Sequence, residues 1–274
     1  MKTTTSDGIS IDYIALGPKD SAKPTLVLTT AWCMSRNGWA SLPQELADRG
    51  FRVLALDFRG HGGSQRDIPD HGAEGLYEDV VAVLKAEGVE TFVPVTMSHS
   101  GWIGILLRQN LGPQRVPAIV HTDWIVLPPP PEYMGLVDGL ADPNGWEQAR
   151  DILFHIWLEG VENQPVVHFV KDEMGGYGAD IWMRSGRVIG SCLRGGGSAL
   201  AALAKLDPPA PTLHVYAQPK DPGYKGAQEQ FGQANPWYEI HFLPEAKSHF
   251  PTFELAGEMA DAIKGFVKKN GVAK

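Results

Sequence analysis

Apolar positions along this chain follow two spacings. Residues 9–17 alternate apolar and polar (Ile9, Ile11, Tyr13), the period of a strand with one buried face. Pro24 then precedes a continuous apolar run at 25–31, and a second run follows at 51–57. Short unbroken runs of this kind suit strands buried on both faces. Between them, 39–49 reads as a helix stopped by Gly50. A helix over 75–87 sets Leu76, Val80, Val83 and Leu84 at helical spacing and ends at Gly88. Strand character returns at 92–97, an apolar helix-like run follows at 101–107, and 118–124 reads as a further strand.

The pattern changes at Pro128-Pro-Pro-Pro131, a stretch suited to a stiff extended link. Residues from about 132 to 205 read mostly helical and carry Trp146, Trp157 and Trp182. Pro208-Pro-Ala-Pro211 marks a second boundary, after which strands recur at 212–217 and 238–243 and a closing helix at 256–267. The organisation this predicts is a core domain made of 1–127 and 208–274, with a helical cap, 128–207, inserted into it. Strands alternating with helices predict an α/β fold, with a mainly parallel sheet flanked by helices. In such sheets ligands bind beyond the C-terminal strand ends. Trp32, Ser98, Asp123, Asp221 and His249 all follow strand ends, where the cap would cover them.

Composition narrows the partners. The net charge is −8 and no basic cluster is present, which argues against nucleic acid and anionic membranes. No run approaches the ~20 apolar residues of a membrane span, and the N-terminus has no apolar core of a leader. Cys33 and Cys192 form neither a C-x-x-C pair nor a disulfide framework, so the cytoplasm is the expected location. Cys33 reads as a small buried hydrophobe. His155, His168, His214 and His241 stand without metal-ligand spacing, and there is no dinucleotide fingerprint or P-loop. No metal and no cofactor are expected.

The candidate chemistry begins at Ser98, where a strand turns abruptly into a helix. That is the shape of a nucleophile elbow. The usual G-x-S-x-G reads here Thr96-Met97-Ser98-His99-Ser100, with Gly101 one place late. Moving the nucleophile to Ser100 would put Trp102 in a crowded position, so the elbow is placed at Ser98. Ser98, an acid, then His249 is the chain order of an α/β-hydrolase triad. Asp221 and Asp123 compete for the acid, and spacing does not separate them. Asp221 also reads as a turn acid ahead of Pro222. The backbone N–H groups of Trp32 and His99 would form an oxyanion hole, and Trp32 would offer a flat apolar wall to a planar aromatic ring. His61, in a Gly-rich turn, reads as structural. On these residues alone, a serine hydrolase (esterase or amidase) is one reading.

A resemblance adds a second reading. The segments Phe92-Val-Pro-Val95 with Ser98-His99, Thr122-Asp123-Trp124, Ile156-Trp157-Leu-Glu-Gly160, Trp182-Met-Arg-Ser-Gly-Arg-Val-Ile189 and Asn235-Pro-Trp237 resemble the cofactor-independent 2,4-dioxygenases of 3-hydroxy-4-oxoquinaldine and 3-hydroxy-4-quinolones. The resemblance runs from about Thr25 to the closing helix. It implies an α/β-hydrolase fold used for ring cleavage with dioxygen, with release of carbon monoxide and no metal or flavin. It makes His249 the base that removes the 3-hydroxyl proton and Asp123 its partner. Ser98 becomes a positioning residue, and the N–H groups of Trp32 and His99 hold the C4 oxygen. Trp157 and Trp182 would line the aromatic pocket. Its partners would be an aromatic N-heterocycle and dioxygen. Better-known members carry histidines where this chain has Met34 and Met97. That exchange implies a substrate with a longer 2-alkyl tail, such as a 2-heptyl-3-hydroxy-4-quinolone.

Overall fold

The computed structural model describes residues 1–272. Its eight strands are β1 (Lys2–Thr4), β2 (Ser10–Leu16), β3 (Thr25–Thr29), β4 (Val53–Leu56), β5 (Phe92–Met97), β6 (Ile119–Thr122), β7 (Thr212–Tyr216) and β8 (Tyr238–Phe242). They form one sheet in the order β1-β2-β4-β3-β5-β6-β7-β8. β1 pairs antiparallel with β2, and β2 with β4. From β4 to β8 every pairing is parallel. Each residue of β3, β4, β5, β6 and β7 is buried, as expected of strands covered on both faces.

The helices are α1 (Leu42–Asp48), α2 (Ala73–Glu87), α3 (Gly101–Arg115), α4 (Pro131–Ala141), α5 (Trp146–Leu158), α6 (Gln164–His168), α7 (Ala179–Gly196), α8 (Ala199–Leu203), α9 (Pro222–Ala234) and α10 (Ala256–Lys269). α1 packs with α10 and α2 with α3 beside the sheet, while α4 through α8 all lie between β6 and β7. Among the described residues no helix is long and apolar enough to cross a membrane.

Several elements differ from expectation. The helix expected over 39–49 is a 3-10 turn, Arg36–Trp39, followed by α1. Ala40 breaks the two with φ 47°, and Pro43 suits the first turn of the new helix. Pro131 does not belong to the extended link but opens α4, where a missing N–H costs nothing. Between the strands expected at 212–217 and 238–243, where no element is assigned from the sequence, lies α9, with Asp221 as its N-cap.

A candidate active site under the helical cap

Ser98 directly follows β5 with φ 50°, a left-handed conformation that a non-glycine residue holds only when its surroundings impose it. The surroundings are visible. The Ser100 hydroxyl accepts the Met97 N–H at 2.9 Å and lies 2.9 Å from the Thr29 and Met97 carbonyls. Ser100 is therefore small enough for the turn and also pins it. Thr96, bulky for its position, is accommodated by α3. A Cβ added at Gly104 would sit 2.9 Å from the Thr96 methyl. Gly101 is needed for another reason: a Cβ there would lie 2.2 Å from the Trp124 ring. The departures from G-x-S-x-G are thus compensated by glycines one turn further on.

Asp123 ends β6, also at positive φ (43°), a region that aspartate tolerates better than most side chains. Its Oδ2 accepts from the backbone N–H of Ala217 at 2.7 Å and of Gln218 at 3.3 Å, both just past β7. Its Oδ1 accepts from His249 Nδ1 at 2.7 Å. Asp123 is 1% exposed. Burial pushes its carboxyl above the usual carboxylate range, against the pull of the His249 and backbone donors. With Nδ1 committed as donor, Nε2 is the ring's remaining basic nitrogen. Trp157 stacks on the His249 ring at 5.5 Å and 18°. Asp221, the competing acid, is exposed and accepts the Tyr224 N–H at 2.7 Å as a helix cap. The structure brings Asp123 and not Asp221 to His249.

A largely apolar cavity lies between the strand ends and the cap. Trp32, Met34, Met97, Ser98, His99, Trp157, Trp182 and His249 all line it, together with Leu136, Leu140, Leu153 and Ile189 of the cap helices. A second, more open space shares Ser98, His99, Tyr133, Trp157 and His249 and adds Asp123, Glu159 and Lys247. Among the described residues no cluster of three or more His, Cys, Asp or Glu could hold a metal ion.

His61 does more than support the sheet. Its Nδ1 lies 2.8 Å from the Arg59 carbonyl, and its Nε2 accepts the Cys33 N–H at 3.0 Å. Burial pushes it down to about 4, so the ring is neutral and holds the Trp32–Cys33 loop from below. Cys33 itself sits at φ 60° with its Sγ 3.1 Å from the Ser185 hydroxyl. Burial raises its thiol far above the ordinary value, which removes nucleophilic character. One cavity residue carried no sequence signal. Tyr133, on α4, meets the His99 ring through a hydrogen bond to Nε2 and a stacked contact at 5.9 Å. A lone tyrosine in a helical stretch cannot be told from a packing residue.

A serine at a strained strand–helix corner, an aspartate past the next strand bonded to a histidine in the loop after the last strand, and a helical cover define an α/β-hydrolase-fold enzyme scaffold. A family model described as the alpha/beta hydrolase fold matches residues 24–165. Full-length relatives narrow this. The chain is 35% identical, over 97% of its length and 98% of the relative's, to a 2-heptyl-3-hydroxy-4-quinolone dioxygenase of Rhodococcus erythropolis. It is 30% identical, over 98% of its length and 100% of the relative's, to the 1H-3-hydroxy-4-oxoquinoline 2,4-dioxygenase of Pseudomonas putida. A solved structure of a variant AqdC that cleaves the Pseudomonas quinolone signal, bound to its substrate, superposes with TM-score 0.91 at 31% identity, covering 98% of this chain and all of that one. The chain belongs to the 3-hydroxy-4-quinolone 2,4-dioxygenase family of α/β-hydrolase-fold enzymes.

Proposed function

We propose that this enzyme opens the heterocyclic ring of a 2-alkyl-3-hydroxy-4(1H)-quinolone with dioxygen and releases carbon monoxide. The observation that carries the reading is the His249–Asp123 pair at the wall of the capped apolar cavity. Asp123 accepts the hydrogen bond from Nδ1–H, which leaves Nε2 to take the substrate's 3-hydroxyl proton. The resulting anion is electron-rich and can pass an electron to dioxygen, a neutral gas that a dry apolar cavity admits. Oxygen then joins the ring at C2 and C4. The C2–C3 and C3–C4 bonds break, and C3 leaves with its own oxygen as carbon monoxide. Both atoms of dioxygen remain in the N-acylated anthranilate product, so the balance closes without a further reductant.

In this reading the backbone N–H groups of Trp32 and His99 hold the C4 oxygen as charge grows there. Trp157 and Trp182 face the ring, and Met34 and Met97 favour a long 2-alkyl tail. Loss of a quinolone signal of this type would silence communication that depends on it, which makes the activity a form of quorum quenching. The two unpaired cysteines fit a reducing cytoplasm.

The test is an oxygen-electrode assay with chelator-treated protein and 2-heptyl-3-hydroxy-4-quinolone, with carbon monoxide trapped from the gas phase. Stoichiometric oxygen loss and carbon monoxide release are expected. No uptake with this or the 2-methyl analogue would overturn the reading. Equal rates with the two substrates would remove Met34 and Met97 from chain selection.

A further inference from the structure

Tyr133 and His99 form a bond whose direction can be worked out from its neighbours. An indole N–H can only donate. Trp124 Nε1 lies 3.4 Å from His99 Nδ1 and donates to it, so Nδ1 is an acceptor. Burial pushes His99 down to about 3, with the nearby His249 acting in the same sense. The ring is therefore neutral and carries its single proton on Nε2. That N–H donates to the Tyr133 hydroxyl, which accepts. The hydroxyl has one hydrogen, and the bond to His99 does not use it. Tyr133 lines both the inner cavity and the outer space, beside Ser98, Trp157 and His249. Burial raises its phenol above the ordinary value, so the proton stays on and remains available.

We infer that Tyr133 donates a hydrogen bond from the cap to a negatively charged oxygen of the bound quinolone anion, and that Trp124 and His99 orient it for this task. The inference rests on the ring-cleavage reading. Its chemistry is direct. Removing the 3-hydroxyl proton leaves charge shared between the oxygens at C3 and C4. A hydroxyl that already accepts an N–H bond is polarised into a stronger donor, and a bond to a charged acceptor is roughly twice as strong as a neutral one. The donor sits on α4, whereas the base and the backbone N–H groups sit in loops beyond the strand ends. The anion would be held from both sides, and the cap would take part in recognising its charge.

The experiment is an anaerobic titration that follows ionisation of bound 2-heptyl-3-hydroxy-4-quinolone by its absorbance across pH. Wild type is compared with Tyr133→Phe, and 2-heptyl-4-quinolone, which lacks the 3-hydroxyl, serves as control ligand. Losing a bond to a charged group should weaken anion binding by roughly 10- to 100-fold. It should raise the midpoint of bound-ligand ionisation by about one to two pH units. The Kd of the control ligand should stay within about twofold, because it presents no anion. An unchanged midpoint in Tyr133→Phe would overturn the inference. So would equal weakening of both ligands, which is what a purely structural role predicts. If wild type neither binds the 3-hydroxyquinolone nor consumes oxygen, the ring-cleavage reading itself fails and this inference falls with it. An active wild type with an unaltered variant removes Tyr133 alone.

Discussion

At Ser98 two chemistries make opposite demands on one side chain. A hydrolase needs its oxygen as a nucleophile, and removing it costs several powers of ten. Ring opening by dioxygen needs only a hydroxyl that positions the substrate. Ser98→Ala should therefore retain oxygen uptake within roughly 100-fold of wild type, a loss in keeping with one or two hydrogen bonds. A fall of about 10⁴-fold or more would restore the nucleophilic role. The side chains at this scale were unevenly legible in the sequence. Ser98 and His249 stood out because a strand end followed by small residues, and a loop after the last strand, are marked places in this topology. Asp123 and Asp221 looked equivalent, because chain spacing does not say which strand end faces the histidine. The cap signature of Asp221 was nonetheless present: an acid directly before Pro222 at the start of a helix. Tyr133 was invisible, since its role depends on a contact across 34 residues with a ring whose tautomer a tryptophan decides.

Elements position that tyrosine. α4 reaches the site only because α7 lets it come close. Gly186 lies in α7, and a Cβ there would sit 2.6 Å from the Ala141 N and 2.8 Å from the Val137 O, both backbone atoms of α4. Backbone cannot give way as the end of a side chain can. Gly186→Ala should push α4 off α7 at a cost of about 1–3 kcal/mol, lowering Tm by several degrees for a chain of this size. Oxygen uptake should fall with it, since Tyr133, Leu136 and Leu140 all ride on α4. A melting temperature unchanged from wild type would show that the two helices separate freely. The same contrast explains which elements the sequence disclosed. Strands buried on both faces announce themselves as apolar runs, and β5 was read to its terminal residues, Phe92–Met97. α9 was missed because only Gln228 of its 13 residues is fully buried, which leaves no apolar stripe at helical spacing. β1 was missed because three residues, Lys-Thr-Thr, pair at the sheet edge with their side chains largely outside. α1 was read too long because a positive-φ alanine leaves no mark in composition.

Across the whole molecule, neutral histidines are buried where sheet, loop and elbow meet. Burial pushes His61 and His214 down to about 4 and His99 to about 3. His214 accepts the Trp124 N–H at 3.2 Å and lies 2.7 Å from Gln228 Oε1, so it steadies the residue after Asp123. His61 holds the loop of Trp32, and His99 orients Tyr133. The fold thus keeps these three supporting histidines neutral. Such histidines have a direct consequence for acid stability. A histidine in the unfolded chain titrates near 6.5, whereas folded His61 resists protonation until about 4. As pH falls through that interval the unfolded state takes up a proton that the folded state does not, so stability is lost. The loss attributable to His61 begins below about 6.5 and is complete near 4, and amounts to roughly 3 kcal/mol. Raised carboxyls such as Asp123 act with the opposite sign over part of this range, so the total acid response mixes the two. A single substitution isolates the histidine. His61→Gln keeps an acceptor for the Cys33 N–H but removes the titrating group. The stability difference between wild type and variant, followed by urea unfolding from pH 7 to 4, should move steadily in the variant's favour as the pH drops. A difference that stays constant with pH would mean that His61 takes up its proton over the same pH range folded and unfolded, and the Trp32 loop would then have to be held by something other than a neutral imidazole.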